Sequence, residues 1–280
     1  MKLNALQAGF NLDHIALESP DPQRLATFYK DLIMMELKEQ KKEEIIIQGL
    51  NRKIILKKGH RNKLSYAGFA CRNKENLHKF KRFVTEKKVR IKEFQNYHFE
   101  KGSFSIIDPD GNLISFGIRK KNKNLYKNKF CMPLQHLTLS SKNVEAFRNF
   151  YQDILGFKTT DLVVDKNGSL ATCFLTSNFE HHTLACFKSS KIGIDHHSYE
   201  VKEWQNIKIL CDYFSEKNIK IIWGPGRHGP GNNLFIFIED LDKNWIEFSA
   251  ELEIIHDREL RKWPKSEKTL NLWGKAIMRS

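Results

Sequence analysis

Eleven histidines stand in this chain, and six of them lie between positions 136 and 228: His136, His181, His182, His196, His197 and His228. His136 sits in the alternating stretch Leu134-Gln135-His136-Leu137-Thr138-Leu139, and His197 heads a comparable one, His197-Ser198-Tyr199-Glu200-Val201. Glu247 falls between Ile246 and Phe248, so strand alternation turns it away from both apolar neighbours. A carboxylate in such a strand is costly to bury unless it is paired or bound to a metal. Two histidines and one carboxylate make a facial triad with open positions, a donor set that suits non-haem Fe(II) and oxygen chemistry and also accepts Mn(II). A lone strand histidine is more often a satisfied core residue than a ligand. The joint occurrence of His136, His197 and Glu247 at matching positions reverses that preference. The neighbours His181 and His196 are expected to point to the opposite face.

The elements that must position these residues follow from an internal repeat, the first thing to seek in a chain. LDHIALESPDPQRLATFYKDLI from Leu12 and LQHLTLSSKNVEAFRNFYQDIL from Leu134 align without a gap. Leu12, His14, Leu17, Ser19, Phe28, Tyr29 and Asp31 recur as Leu134, His136, Leu139, Ser141, Phe150, Tyr151 and Asp153. A second pair, DPDGNLISFG from Asp108 and DLDKNWIEFS from Asp240, reads as a turn feeding a strand. The chain therefore divides into an N-terminal domain over residues 1–120 and a C-terminal metal-binding domain over 130–250, followed by a tail over 251–280. The basic stretch 120–129 suits a linker. Helices are predicted over 22–32, 74–88, 144–155 and 201–217. In the third, Phe147, Phe150, Tyr151 and Ile154 recur at helical spacing and mark a buried face. Strands are predicted near 44–47, 53–57, 170–175, 183–187 and 234–238. The expected fold is α+β, two tandem domains of two βαβββ modules each. The first domain keeps His14 but has Ser115 where the second has Glu247, so it is expected to hold no metal.

The net charge is +14, from 47 basic and 33 acidic residues. The lysines are scattered and no nucleic-acid-binding motif accompanies them, so a solvated basic surface is the favoured reading and a nucleic-acid partner is not expected. Cys71, Cys131, Cys173, Cys186 and Cys211 are odd in number and lack CxxC spacing, against a disulfide framework or thiolate zinc site. No apolar run is long enough to span a membrane, and the first residues lack a signal-peptide pattern. A cytoplasmic protein without a membrane partner is expected.

Four stretches in order, LQHLTL, HHTLACFKSSKIGIDHHSYEV, GPGRHG and NWIEF, resemble the type I extradiol catechol dioxygenases of the vicinal-oxygen-chelate superfamily, over about residues 10–250. The GPGRHG wording is shared with the homoprotocatechuate-like branch. The resemblance implies Fe(II) on His136, His197 and Glu247, with His182 and His228 as catalytic histidines. It implies a catechol and O₂ as substrates; a homo-oligomer is expected. Arg227 is a candidate partner for a substrate carboxylate. Phe237 stands where many members carry a tyrosine that hydrogen-bonds a substrate hydroxyl, and the usual DPDG turn of the second domain reads DLDK. Trp263 and Trp273 are expected to cover the C-terminal domain or a neighbouring subunit. The competing readings are a glyoxalase-like isomerase, a thiol transferase or hydrolase of the same superfamily, and a non-catalytic binding protein. A glyoxalase-like site would need a fourth ligand where Ser115 stands.

Overall fold

The computed structural model describes residues 2–41, 43–120 and 131–278. The stretch 120–129 expected to be a linker lies outside the described residues, apart from Lys120.

The first half builds a seven-stranded sheet. Its strands are β1 (Asn11–Ser19), β2 (Glu36–Gln40), β3 (Glu44–Gly49), β4 (Arg52–Lys58), β5 (Lys63–Cys71), β6 (Phe104–Ile107) and β7 (Leu113–Ile118), in the order β2-β3-β4-β1-β5-β7-β6. Its helices are α1 (Ala5–Ala8), α2 (Pro22–Leu32) and α3 (Lys74–Glu86). The second half builds a nine-stranded sheet from β8 (Leu134–Ser141), β9 (Lys158–Val164), β10 (Leu170–Thr176), β11 (Leu184–Lys188), β12 (Gly193–Glu200), β13 (Trp223–Arg227), β14 (Leu234–Glu239), β15 (Trp245–Ala250) and β16 (Arg261–Pro264). The order is β13-β14-β15-β12-β8-β11-β10-β9-β16, and the helices are α4 (Val144–Asn149), α5 (Trp204–Glu216) and α6 (Glu267–Leu270). The α+β class and the repeated architecture are as expected. No helix among the described residues is long and apolar enough to cross a membrane.

The repeat is physical as well as textual. β1 pairs parallel with β4 and antiparallel with β5, and β8 pairs parallel with β11 and antiparallel with β12. Each central strand ends in the same turn into a helix. Ser19 Oγ accepts from Asp21 N and Asp21 accepts from Arg24 N; Ser141 Oγ accepts from Asn143 N and Asn143 accepts from Ala146 N. These side chains take up amides that the first turn of a helix leaves unpaired. The helices then bury one face each, through Leu25, Phe28 and Tyr29 in α2 and through Val144, Phe147 and Tyr151 after β8. The predicted helix over 144–155 is α-helical only to Asn149 and continues as a π-helical turn over Phe150–Ile154. Leu155 N accordingly donates to Phe150 O rather than one residue later, a wider turn that apolar spacing alone does not reveal.

The two halves are tied crosswise. Tyr29 of the first half donates to Asp240 Oδ2 of the second at 3.0 Å, and Tyr151 of the second donates to Asp108 Oδ2 of the first at 3.2 Å. Each aspartate heads one of the paired turns seen in the sequence. Asp108 Oδ1 accepts from Asp110 N and Asn112 N, and Asp240 Oδ1 from Asp242 N and Asn244 N. Where the first turn has Gly111 at φ 88°, the second has Lys243 at φ 70°, so the DLDK turn keeps the shape at the cost of a left-handed lysine.

Candidate metal centre

β8, β12 and β15 lie side by side and carry the site on the face away from α4 and α5. Residues opposite one another in register point to the same face of a sheet. His196 stands opposite Thr138 of β8 and Trp245 of β15, and Ser198 stands opposite Glu247. The ring nitrogens of His136 and His196 and a carboxylate oxygen of Glu247 all lie within 4.8 Å of one another, and all three residues are buried. His136 Nε2 is 2.8 Å and His196 Nε2 3.4 Å from the same oxygen, Glu247 Oε2.

His197 is not part of this group. It stands opposite Leu137 and Ile246, on the apolar face, with its Nε2 3.3 Å from the Tyr29 hydroxyl and its ring against Tyr199. The place expected for His197 beside His136 and Glu247 is thus taken by His196, and the expected orientations of the two are exchanged. The cause is a β-bulge. Between the pairs Ile194↔Leu139 and His196↔Thr138, β12 carries one residue more than β8, so Ile194 and His196 face opposite sides although they are two apart. The signal was available downstream: Tyr199 and Val201 are core residues, and alternation back from them puts His197 on their face and His196 on the other.

The donor set fits a divalent metal. His196 Nδ1 lies 2.5 Å from Asp195 Oδ1, so a carboxylate fixes the outer nitrogen and leaves Nε2 as an inward lone pair, the usual support of a ligating histidine. Glu247 Oε1 accepts from Asn233 Nδ2 at 3.1 Å. Burial alone would raise the Glu247 carboxyl, but His136, His196 and His228 around it hold it well below the usual carboxylate range. Burial lowers the His136 imidazole, against the pull of Glu247. The site therefore offers an anionic oxygen at Glu247 and a neutral imidazole at His136, while at His196 burial is outweighed by Asp195 and Glu247, which raise it, so a cation would bind there by displacing a proton.

A cavity opens over these ligands. His182 lines it, with its ring centroid 4.2 Å from that of His136. Burial, together with the neighbouring His136 and His181, pushes its imidazole well below the ordinary value. His228 also lines it. Its Nδ1 donates to Leu270 O at 2.6 Å, and its Nε2 lies 3.6 Å from Glu247 Oε1. Phe237 stands opposite Glu247 in register, its ring 5.2 Å from His196 and stacked 5.3 Å from Trp223. Arg227 is turned elsewhere. It donates to Asn232 O and Glu251 Oε2, lies 5.3 Å from the Trp273 ring and does not line the cavity. The expected carboxylate partner is thus already engaged outside the cavity, by Asn232 and Glu251.

Sequence reasoning missed Asn233, for which no spacing signal exists, and the reach of the tail. β16 adds to β9 in parallel, and beyond it Thr269, Leu270, Ile277 and Met278 close over the cavity. Trp263 packs on Val163, Ala171 and Phe174, so it does cover the second sheet. In the first half, the positions matching His136, His196 and Glu247 hold His14, Tyr66 and Ser115. Both nitrogens of His14 are taken, Nδ1 at 2.6 Å from Asp13 and Nε2 at 2.8 Å from Asn96 Nδ2, so nothing there is left to bind a cation.

The family model described as "Glyoxalase/Bleomycin resistance protein/Dioxygenase superfamily" matches residues 133–248. Metapyrocatechase 2 of Cupriavidus necator is 24% identical, over 95% of this chain and 89% of its own. An iron-dependent extradiol dioxygenase of Rhodococcus jostii (strain RHA1) is 25% identical, over 79% of this chain and 81% of its own. Among solved structures, the anaerobic complex of homoprotocatechuate 2,3-dioxygenase from Brevibacterium fuscum with 3,4-dihydroxyphenylacetate matches with a TM-score of 0.83 at 20% identity, covering 99% of this chain and 92% of that one. That likeness carries the fold. The family match spans β8–β15, so residues 133–248 carry a domain of the glyoxalase/bleomycin resistance protein/dioxygenase superfamily, and the relatives align along most of the chain.

Proposed function

We propose that the protein is an extradiol ring-cleaving dioxygenase that opens a catechol with O₂ at one divalent metal, Fe(II), held by His136, His196 and Glu247; the same ligands accept Mn(II). The observation that carries this reading is the convergence of two imidazole nitrogens and one carboxylate on a point that is open on its remaining side to a cavity. When bound, such a metal acts as a Lewis acid that favours the catecholate and offers open positions to both substrates.

The chain's own residues do the rest. His182 borders the ligands and is the group to take a hydroxyl proton from the catechol. His228, pinned by Leu270 O, is placed to hydrogen-bond a substrate oxygen through Nε2. Asn233 holds the Glu247 carboxylate in place, and the rings of Phe237 and Trp223 form an apolar wall for an aromatic ring. Phe237 has no hydroxyl, so His228 is left as the nearer hydrogen-bonding group on that side. Leu270, Ile277 and Met278 add apolar surface at the edge of the cavity. Residues 1–120 are the scaffold, 130–250 the catalytic unit and 251–280 its cover, in a cytoplasmic homo-oligomer whose assembly sedimentation would report.

The test starts anaerobically. The protein is loaded with Fe(II), and air and a panel of catechols are added while the yellow ring-fission product is followed. His196→Ala and Glu247→Ala should lose both bound metal and colour. His197→Leu should keep the metal. The reverse pattern, metal lost with His197→Leu and kept with His196→Ala, would refute the ligand assignment, and tight iron without colour for any catechol would refute the reaction.

A further inference from the structure

Behind His182, away from the cavity, runs a chain of buried polar groups. His182 Nδ1 lies 2.9 Å from His181 Nδ1. His181 is fully buried, and its Nε2 is 3.2 Å from Asp161 Oδ2, bent away from a straight hydrogen bond. Asp161 is also fully buried. Its Oδ1 accepts from Arg258 Nη1 at 2.9 Å and its Oδ2 from Trp263 Nε1 at 2.7 Å. Arg258 in turn holds Glu253 with two bonds of 2.8 Å, and Arg261 stands 3.8 Å from the same carboxylate.

Two imidazoles that meet Nδ1 to Nδ1 share a single proton there. For neutral rings, the one that donates has its Nε2 free as a lone pair, and the one that accepts carries its proton on Nε2. The far end of the chain breaks the tie. Asp161 is an acceptor only, so it favours a proton on His181 Nε2. His181 Nδ1 must then accept, His182 Nδ1 must donate, and His182 Nε2 is left bare for the cavity. A doubly protonated His181 would reverse this assignment. It would also bury a further positive charge where Asp161 and Glu253 are already matched by Arg258 and Arg261, a costly arrangement.

We propose that Asp161, acting through His181, sets the tautomer of His182, so that His182 Nε2 meets a substrate hydroxyl as an acceptor. Asp161 and His181 are positioning residues, and of the three only His182 touches the cavity. The identity of the substrate group rests on the proposed function; the order of protons along the chain does not. Because Trp263 belongs to β16, docking of the tail completes the same chain.

Ring nitrogen protonation can be read directly from long-range proton–nitrogen spectra of protein labelled with ¹⁵N-histidine and loaded with Zn(II), with His182→Gln to assign the signals. In the intact chain, His182 is expected to be protonated on Nδ1 and His181 on Nε2. In Asp161→Asn the remaining oxygen is drawn to Arg258, which turns the amide NH₂ toward His181. The His182 population should then move toward the Nε2–H form by roughly tenfold, the net worth of one hydrogen bond. His181→Phe, which keeps a ring and removes the acceptor, should move it the same way and serves where Asp161→Asn does not fold. A proton on His182 Nε2 in the intact chain, or a His182 population unmoved in both variants, overturns the proposal. No turnover enters the measurement, so a protein that cleaves no catechol would sink the proposed function and leave this result to be judged alone.

Discussion

Replacing Tyr29 with phenylalanine tests how the two halves are held together. The ring is fully buried and stays, so no cavity opens; only the hydroxyl that donates to Asp240 Oδ2 at 3.0 Å is removed. Hydrogen bonds to a charged group contribute roughly 1.5–3 kcal/mol. Asp240 keeps three other donors, Asp242 N, Asn244 N and Asn244 Nδ2, so the carboxylate is never stranded and the lower end applies: about 1.5 kcal/mol. Tyr151→Phe removes the mirror contact to Asp108 at 3.2 Å, where Asp110 N, Asn112 N and Asn112 Nδ2 remain, and should cost about the same. Urea unfolding of the metal-free chain, followed by fluorescence and circular dichroism together, measures both. The decisive quantity is the coupling in a double-mutant cycle of Tyr29→Phe with Asp240→Asn, expected at about 1 kcal/mol. A coupling near zero, with each single change still destabilising, would show that the hydroxyl acts elsewhere, for instance on His197 Nε2 at 3.3 Å. The crosswise latch would then be wrong.

Three further outcomes follow from single sites. Burial first, then the charges of His14 and Lys53, pushes His98 from 6.5 down to about 3. A lowered folded value means the neutral form is favoured by folding, so its contribution is present above pH 6.5 and lost as pH falls toward 3, at up to about 1.4 kcal/mol per pH unit; acid titration of His98→Gln should show a slope shallower by one proton, and an unchanged slope would refute the assignment. Lys243 holds φ 70° with its side chain 67% exposed, so Lys243→Gly should stabilise the chain by roughly 1 kcal/mol, seen as a raised melting temperature; a loss would mean that the Glu239 contact outweighs the strain. Arg227→Ala should leave the KM for a carboxylated catechol within about twofold, because a solvated or already paired arginine contributes little to a ligand it does not reach, while loosening the tail at Trp273; a tenfold rise in KM confined to carboxylated substrates would return Arg227 to the site.

The sequence carried the repeat, the α+β class, four helix positions to within a few residues, and two of the three residues proposed as ligands, because each leaves a local trace. Leu12 to Asp31 recur at a fixed offset, and Phe147 and Tyr151 mark a helical face. Glu247 betrays itself as a charge between apolar strand neighbours. What is harder to read is what depends on counting residues between strands. One inserted residue at Asp195 exchanges the faces of His196 and His197, and only alternation counted back from Tyr199 and Val201 reveals it. Arg227 and Asn233 show the same limit. Both lie within a few residues of His228, yet one turns to Glu251 and the other to Glu247, a choice made by the pairing of β13 with β14.

The symmetry of the molecule explains how one half can lack the proposed ligands and keep the fold. Among the residues that recur, Ser19 and Ser141, Tyr29 and Tyr151, and Asp108 and Asp240 build the turns and the latch. Of the proposed ligand positions only His136 recurs, as His14, and none of them has that duty. In the first half Tyr66 packs on Phe94, Ser115 bonds Ser105, and His14 is closed by Asp13 and Asn96, so the face that would meet a cation is filled. In the second half the same face is left open and lined with groups that would be expensive to bury without a partner. His197 belongs to the first class rather than the second. It lies beside Tyr29 at the latch, so its replacement should be felt as stability shared between the halves, while that of His196 should be felt at the metal alone. A His196→Ala chain that melts like the wild-type metal-free protein, beside a His197→Leu chain that binds metal but melts lower, is the pattern this division of labour requires.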